Sequence, residues 1–278
     1  MTELNFKVDE ELCIGCGECV SDCPLLVLTM VDDQPRVAAT RGQMCINCQH
    51  CLMVCPVGAI SISGAAPADC LALKGMLPEA DKMEALIRGR RSIRRYQDEN
   101  LDPALLRRLL ESAWQAPTGM NARQVLFTVV DDKTVMARLR AEVMARLAEL
   151  VTAGRLPEGH SESFSGFVKQ WQEKGIDIIF RGAPHLLIAS APQNCPCPEP
   201  DCLIALSYFE LLAQSMGVGT VWDGMATRTL NEFMPEFKEK LGIPADHRFG
   251  YAMAFGKPAV KYYRTGSMRT AAINRVAF

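Results

Sequence analysis

Eight of the chain's twelve cysteines fall into two copies of one pattern, Cys13-x2-Cys16-x2-Cys19-x3-Cys23-Pro24 and Cys45-x2-Cys48-x2-Cys51-x3-Cys55-Pro56, which start 32 residues apart. Three thiols spaced in this way wrap a short loop around one face of a metal–sulfur cube, with backbone N–H groups turned toward the sulfurs. The fourth cysteine begins the next segment, where the proline behind it lacks an N–H and ends the local helix. In two-cluster proteins with this run the fourth cysteine serves the other cluster. The spacing therefore assigns Cys13, Cys16, Cys19 and Cys55 to one 4Fe-4S cluster, and Cys45, Cys48, Cys51 and Cys23 to a second. Zinc is the competing reading, because paired Cys-x2-Cys units also build tetrahedral sites. Each copy here has three close cysteines rather than two pairs, plus a fourth and a proline. His50 lies between Cys48 and Cys51 with every ligand position taken, and reads as a loop residue.

The elements that must hold these loops are short. LVLTM and RVAAT are extended segments on either side of the turn Asp32-Asp33-Gln34-Pro35, so the module reads as hairpins with short helices. Over residues 1–63 it resembles the bacterial two-cluster ferredoxins, and the resemblance implies transfer of electrons one at a time. Gly64-Ala65-Ala66-Pro67-Ala68 is small and irregular and opens a linker over 64–79. A second domain is expected over 80–278.

That second stretch alternates helix-like and strand-like segments, the mark of an α/β or α+β layered architecture. LDPALLRRLLESAWQ has Asp102 as N-cap and Pro103 at the first helical position. Leu105, Leu106, Leu109, Leu110 and Ala113 recur at helical spacing, and Arg107, Arg108 and Glu111 take the other face. VLFTVV, HLLIAS, VGTVW and YAMAF are short, apolar or β-branched, and bounded by Gly, Pro or Asp, so they read as buried strands. DCLIALSYFELLAQSMG reads as a helix capped by Asp201 and closed at Gly217, with apolar residues on every side. It is expected to be buried all round, at a domain centre or subunit interface.

The segment Gly89-Arg90-Arg91-Ser92-Ile93-Arg94-Arg95-Tyr96 places four arginines and a hydroxyl within eight residues. Guanidinium forks and a serine suit a phosphate monoester, although a basic run alone is also what a solvated face looks like. Its companions are the polar turn Ala116-Pro117-Thr118-Gly119-Met120-Asn121 and the tail Phe255-Gly256-Lys257-Pro258-Ala259-Val260-Lys261-Tyr262-Tyr263-Arg264. With GVGTVWDG, these motifs stand in the order and approximate spacing of the FMN-dependent nitroreductase family, which the chain resembles over roughly residues 80 to 270.

The resemblance implies an α+β protein in which the ferredoxin-like module precedes a three-layer α-β-α flavin domain with a mixed central sheet. It implies that Arg90 and Ser92, with Arg91 adjacent, hold the FMN phosphate, and that Arg94 approaches the pyrimidine side of the ring, where a fixed charge favours reduced flavin. Pro117, Thr118 and Asn121 match the turn that reaches the flavin from the partner subunit of a homodimer. Gly224 matches the backbone N–H at flavin N5, and Lys261 and Arg264 match further phosphate contacts. The sequence departs from the family where Gln commonly stands two residues after the turn's Asn: here Arg123 precedes Gln124. Cys195, Cys197 and Cys202 in a proline-rich connection, with Cys70, are either a third metal centre or, the preferred reading, small partly buried residues. Phe164, Phe167 and Trp171 in 161–175 are either core or a cap over the substrate, and Trp222 is placed near the flavin strand. No catalytic residue is assigned.

Composition bounds the rest. Thirty Lys and Arg against 32 Asp and Glu give a formal charge of −2, with no bulk electrostatic reason to bind nucleic acid or anionic lipid. No run approaches the roughly 18 to 20 apolar residues that span a bilayer. The polar, acidic start MTELNFKVDEEL is unlike a secretory signal, and a cytoplasmic location is expected. No Ser-His-Asp, zinc-hydrolase or P-loop constellation is present. The functional expectation is an FMN oxidoreductase that takes electrons from a ferredoxin or similar donor through its clusters and reduces a small organic acceptor such as a nitroarene, quinone or activated alkene. The alternatives are an NAD(P)H-dependent flavoreductase passing electrons outward, and a non-enzymatic electron-transfer adaptor.

Overall fold

The structure, a computed structural model, describes residues 4–267 and 269–278. The chain folds into two compact units, the first running to Pro78 and including 120–122, the second comprising Glu79–Gly119 and Arg123–Phe278.

In the first unit β1 (Phe6–Val8), α1 (Glu18–Ser21), β2 (Leu28–Val31), β3 (Gln34–Val37), α2 (His50–Met53) and β4 (Ile60–Ile62) follow in order. β1 pairs antiparallel with β4, Phe6 opposite Ile62, so the two ends of the module close on each other. β2 and β3 form a hairpin with Val31 opposite Gln34. Its two turn residues, Asp32 and Asp33, both take positive φ (48° and 58°), which the right-handed strand twist requires of a two-residue loop. Cys19, Leu28, Cys51, Leu52, Ile60 and Ile62 form a small core, so a cysteine of each repeat is a core residue.

The second unit runs α3 (Ala80–Gly89), α4 (Pro103–Ala113), β5 (Leu126–Val130), α5 (Lys133–Thr152), α6 (Ser161–Lys174), β6 (His185–Pro192), α7 (Pro198–Ser215), β7 (Gly219–Trp222), α8 (Gly224–Arg228), α9 (Glu236–Lys240) and β8 (His247–Gly256). Asp102 caps α4 by accepting from the Leu105 N–H at 2.9 Å, as its sequence predicts. The strands lie in the order β5-β6-β8-β7, every pair antiparallel. The parallel component that makes the sheet mixed is the bridge between Ser92 and Thr220.

Leu186, Ile188, Ala252 and Ala254 pack on one face against Val143, Leu147 and Phe164. Leu187, Ala189, Met253 and Phe255 pack on the other against Leu109, Ala205, Leu206 and Phe209. Helices thus cover both faces in three layers, which is why HLLIAS is apolar without alternation.

Two expectations for α7 are corrected. The helix starts at Pro198 after the N-cap Cys197, and Asp201 sits inside its first turn. Two prolines pre-set the first-turn φ and start the helix before the acid. Nor is the helix buried all round: Asp201, Cys202, Ala205, Leu206, Phe209, Glu210 and Ala213 are buried, whereas Tyr208 is 46% exposed. The sheet covers only one side of it.

Candidate functional site

The cysteines of the first unit line two separate cavities. One is walled by Cys13, Cys16, Cys19 and Cys55; the other by Cys45, Cys48, Cys51 and Cys23. The two cavities thus divide the eight cysteines crosswise, because the β1–β4 closure and the two short helices carry each fourth cysteine to the opposite loop.

Backbone amides point at sulfur in both centres: Val27 N–H at Cys23 (3.3 Å), Asn47 N–H at Cys45 (3.4 Å) and Ala59 N–H at Cys55 (3.2 Å). Such bonds stabilise cluster thiolates and help set their potential. The loops reach this geometry through left-handed backbone at equivalent positions, Gly15 and Gly17 in the first copy and Asn47 and Gln49 in the second. Glycine is favoured at position 15, where φ is 67° and a Cβ would stand 3.0 Å from the Asp33 carbonyl oxygen.

Among the described residues no three His, Cys, Asp or Glu side chains converge tightly enough for a single ion. Four thiols on one cavity are the ligand set of a 4Fe-4S cube, so the quartets fit clusters. Burial pushes the Cys51 thiol up to about 11. Ligation must therefore displace a tightly held proton.

In the second unit the segment after α3 runs beside β7. Ile93 N–H donates to the Thr220 carbonyl at 2.8 Å. Gly219 permits this approach, since a Cβ there would lie 2.6 Å from the Ile93 side chain. Four consecutive residues consequently receive different surroundings. Arg90 donates to the buried Glu210 carboxylate at 3.2 Å; Glu210 also accepts from Thr220 Oγ1 (3.3 Å) and Trp222 Nε1 (3.0 Å). Arg91 donates to the carbonyls of Arg88 and Arg90 and lines a cleft of about 360 Å³ with Lys261, Arg264, Gln214 and Gly217. Ser92 makes the bridge to Thr220. The buried Ile93 anchors the segment.

Three cations on one cleft are the donor set that a phosphate dianion needs, so the residues present fit a flavin phosphate. Arg94 lines a different cleft, of about 370 Å³, together with Arg140, Trp171, Asp177 and Arg181.

The remaining expected contacts are distributed as follows. Pro117 is exposed, and Thr118 Oγ1 accepts from the Arg123 N–H at 3.0 Å. Asn121 belongs to the first unit, where its amide donates to the carbonyls of Ile46 (2.9 Å) and Asn47 (3.0 Å) in the second cysteine loop. Arg123, at the departure from the family pattern, donates to Gln115 Oε1. Gly224 is the first residue of α8, whose N-cap Asp223 accepts from the Ala226 N–H. Phe164 is core, and Trp171 is half-buried and lines the second cleft. Cys195 and Cys202 are buried, and desolvation pushes the Cys202 thiol up to about 12. His185 accepts the Leu101 N–H through Nε2, and burial lowers its pKa, so it is a neutral structural imidazole.

Sequence reading missed two acids. Glu210 is the one carboxylate between Leu203 and Leu212 in an otherwise apolar helical run, a visible anomaly. Asp223 gave no signal. It is buried, its Oδ2 has no hydrogen-bond partner among the described residues, and desolvation pushes it up to about 7.

A three-layer fold with a cation-lined cleft, joined to a pair of four-cysteine centres, defines a redox flavoprotein class. The chain belongs to the nitroreductase family, whose model matches residues 87–257, and residues 6–62 match a 4Fe-4S dicluster domain. It is thus a nitroreductase-family flavoprotein oxidoreductase with a 4Fe-4S domain.

Among curated relatives, an iodotyrosine deiodinase of Thermotoga neapolitana is 27% identical over 140 residues, which is 49% of this chain and 70% of that protein. A putative NADH dehydrogenase/NAD(P)H nitroreductase of Archaeoglobus fulgidus is 25% identical over 177 residues, 62% of this chain and 83% of that one. The fold matches the FMN-bound nitroreductase of Bacteroides fragilis with a TM-score of 0.57 at 21% identity, over 70% of this chain and 99% of that one. No helix among the described residues is long and apolar enough to cross a membrane.

Proposed function

We propose that the chain passes single electrons between its two 4Fe-4S clusters and an FMN in the second unit, and reduces a small organic acceptor by two electrons. One observation carries this reading: a single chain holds two cysteine quartets and a cleft with the cations for a flavin phosphate. The bound FMN of the Bacteroides fragilis neighbour supports the cofactor. Flavin, when bound, supplies the conversion between one-electron and two-electron chemistry.

The chain's own residues do the rest. Arg91, Lys261 and Arg264 neutralise the phosphate, with Arg90 and Ser92 at the rim. Arg94 places positive charge beside the pyrimidine, and Gly224 offers its N–H from the start of α8. In a homodimer, which the part-exposed apolar face of α7 favours, Pro117, Thr118 and Asn121 of each chain approach the flavin of the other. Cluster ligation requires reduced cysteines, which suits the reducing cytoplasm, where a reduced ferredoxin is the fitting donor.

A second reading, NAD(P)H as reductant with electrons leaving through the clusters, is favoured by the name of the Archaeoglobus fulgidus relative. Anaerobic stopped-flow mixing separates the two. Flavin bleaching by reduced ferredoxin and not by NAD(P)H is the expected result. Bleaching by NAD(P)H alone installs the second reading, and absence of turnover with nitroarene, quinone and activated alkene leaves an electron-transfer adaptor.

A further inference from the structure

The cleft that Arg94 lines has a floor built around one buried acid. Asp177, its side chain 4% exposed, accepts from Arg140 Nε at 2.7 Å, from the Phe180 N–H at 2.8 Å and from the Gly182 N–H at 3.0 Å. Arg140 also donates to the Ala183 carbonyl at 2.7 Å. Together these bonds clamp the 177–183 turn on both sides of Arg181, which is held at φ 58°. A long side chain in the left-handed region is disfavoured and persists only when its surroundings over-determine it.

The clamp also settles the charges. Asp177 is consumed by Arg140 and two amides. Arg94 makes only a 3.4 Å contact to the Ser92 carbonyl, and among the described residues no hydrogen bond or ion pair engages Arg181. The buried Asp223 feels the charges of Asp177 and Arg181 but does not line the cleft. Two guanidinium groups therefore face about 370 Å³ without a carboxylate partner among the described residues, beside the half-buried ring of Trp171 and the exposed side chain of Ile176. Guanidinium forks match a carboxylate in two-point geometry, and a flat apolar wall next to them suits a conjugated ring.

We propose that this cleft is the acceptor-binding site and selects a planar conjugated carboxylate, its carboxylate on Arg181 and Arg94 and its ring against Trp171. The inference rests on the flavin reading above through Arg94, the residue that places the cleft beside the ring.

The test uses the full-length, FMN-loaded protein. Binding of 4-nitrobenzoate and of its neutral analogue 4-nitrobenzamide is followed by calorimetry and by perturbation of the flavin spectrum. The carboxylate is expected to bind at least about tenfold tighter, the scale of one charge-assisted contact. Arg181→Asn, a residue that tolerates positive φ, should erase that preference without lowering the thermal midpoint or the FMN affinity. Arg181→Lys should retain part of it.

Equal binding of the two compounds by the unmodified protein overturns the proposal, as does a preference that survives Arg181→Asn. If Arg181→Asn weakens FMN binding as much as nitrobenzoate binding, the cleft belongs to the flavin and the proposal also falls. A chain that binds no FMN sinks the flavin reading and with it the acceptor role, whereas calorimetry on the flavin-free protein still tests the carboxylate preference of the cleft by itself.

Discussion

In the first unit, seven residues of chain from Cys13 to Cys19 deliver three of the four thiols of one centre, whereas in the second unit Arg91 meets Lys261 and Arg264 across 170 residues. The two regions also treat their buried acids differently. In the cysteine module burial raises the Cys51 thiol to about 11, amides aim at neighbouring sulfurs, and iron is the partner that can displace the proton. In the flavin domain burial raises Asp223 to about 7 and its Oδ2 has no partner among the described residues, so the acid keeps its proton up to near neutral pH. Where a metal organises the ligands, local spacing supplies three of the four and chain closure brings the last. Where an organic anion is bound, the sheet must assemble them.

The largest expected effect tests the crossing of the cysteines. Cys55→Ser, a change in the second repeat, should empty the centre lined by Cys13, Cys16 and Cys19 and leave the other intact. Iron per chain should fall from about eight to about four; loss of the centre lined by Cys45, Cys48 and Cys51 instead would refute the partition.

Asp223 gives the next effect. Its folded-state pKa lies above the ordinary carboxylate value, so the native state holds more protons than the unfolded chain between roughly pH 4 and 7. Stability is unpenalised below that window and falls as pH rises through it, by on the order of 3 kcal/mol. Asp223→Asn should remove that slope in urea unfolding followed from pH 5 to 8; an unchanged slope would mean that the acid is ionised at neutral pH.

The smallest effect separates neighbouring arginines. Arg91→Ala should weaken FMN binding by roughly 1.5 to 3 kcal/mol, as for loss of a charge-assisted contact. Arg90→Ala should weaken it less and lower the thermal midpoint more, because it leaves the buried Glu210 without its cation. Equal losses of FMN affinity would place both guanidinium groups on the phosphate.

Much of the fold is written in local pattern. The Asp102 cap and the four apolar strands follow from capping and apolar runs and appear where the sequence puts them; the hairpin is present, but its turn is Asp32-Asp33 alone, because Gln34 and Pro35, expected in the turn, open β3 opposite Val31 and Met30. The start of α7 departs from the capping pattern because Pro198 and Pro200 set the backbone ahead of Asp201. The distinction between Arg90 and Arg91 is invisible in GRRSIRRY, since it depends on which of them faces Glu210, 120 residues further on.

By itself the sequence determined the two cysteine quartets and the motif order of the flavin domain, because three ligands of each centre lie within seven residues and the duplicated run carries the crossed fourth. Only the tertiary structure decided which arginine is tied to Glu210, that Asp223 is buried with Oδ2 unpaired among the described residues, and that Asp177 clamps Arg181 in a left-handed turn. Each of these depends on what the folded sheet brings within about 3 to 4 Å, where desolvation and charge pairing act.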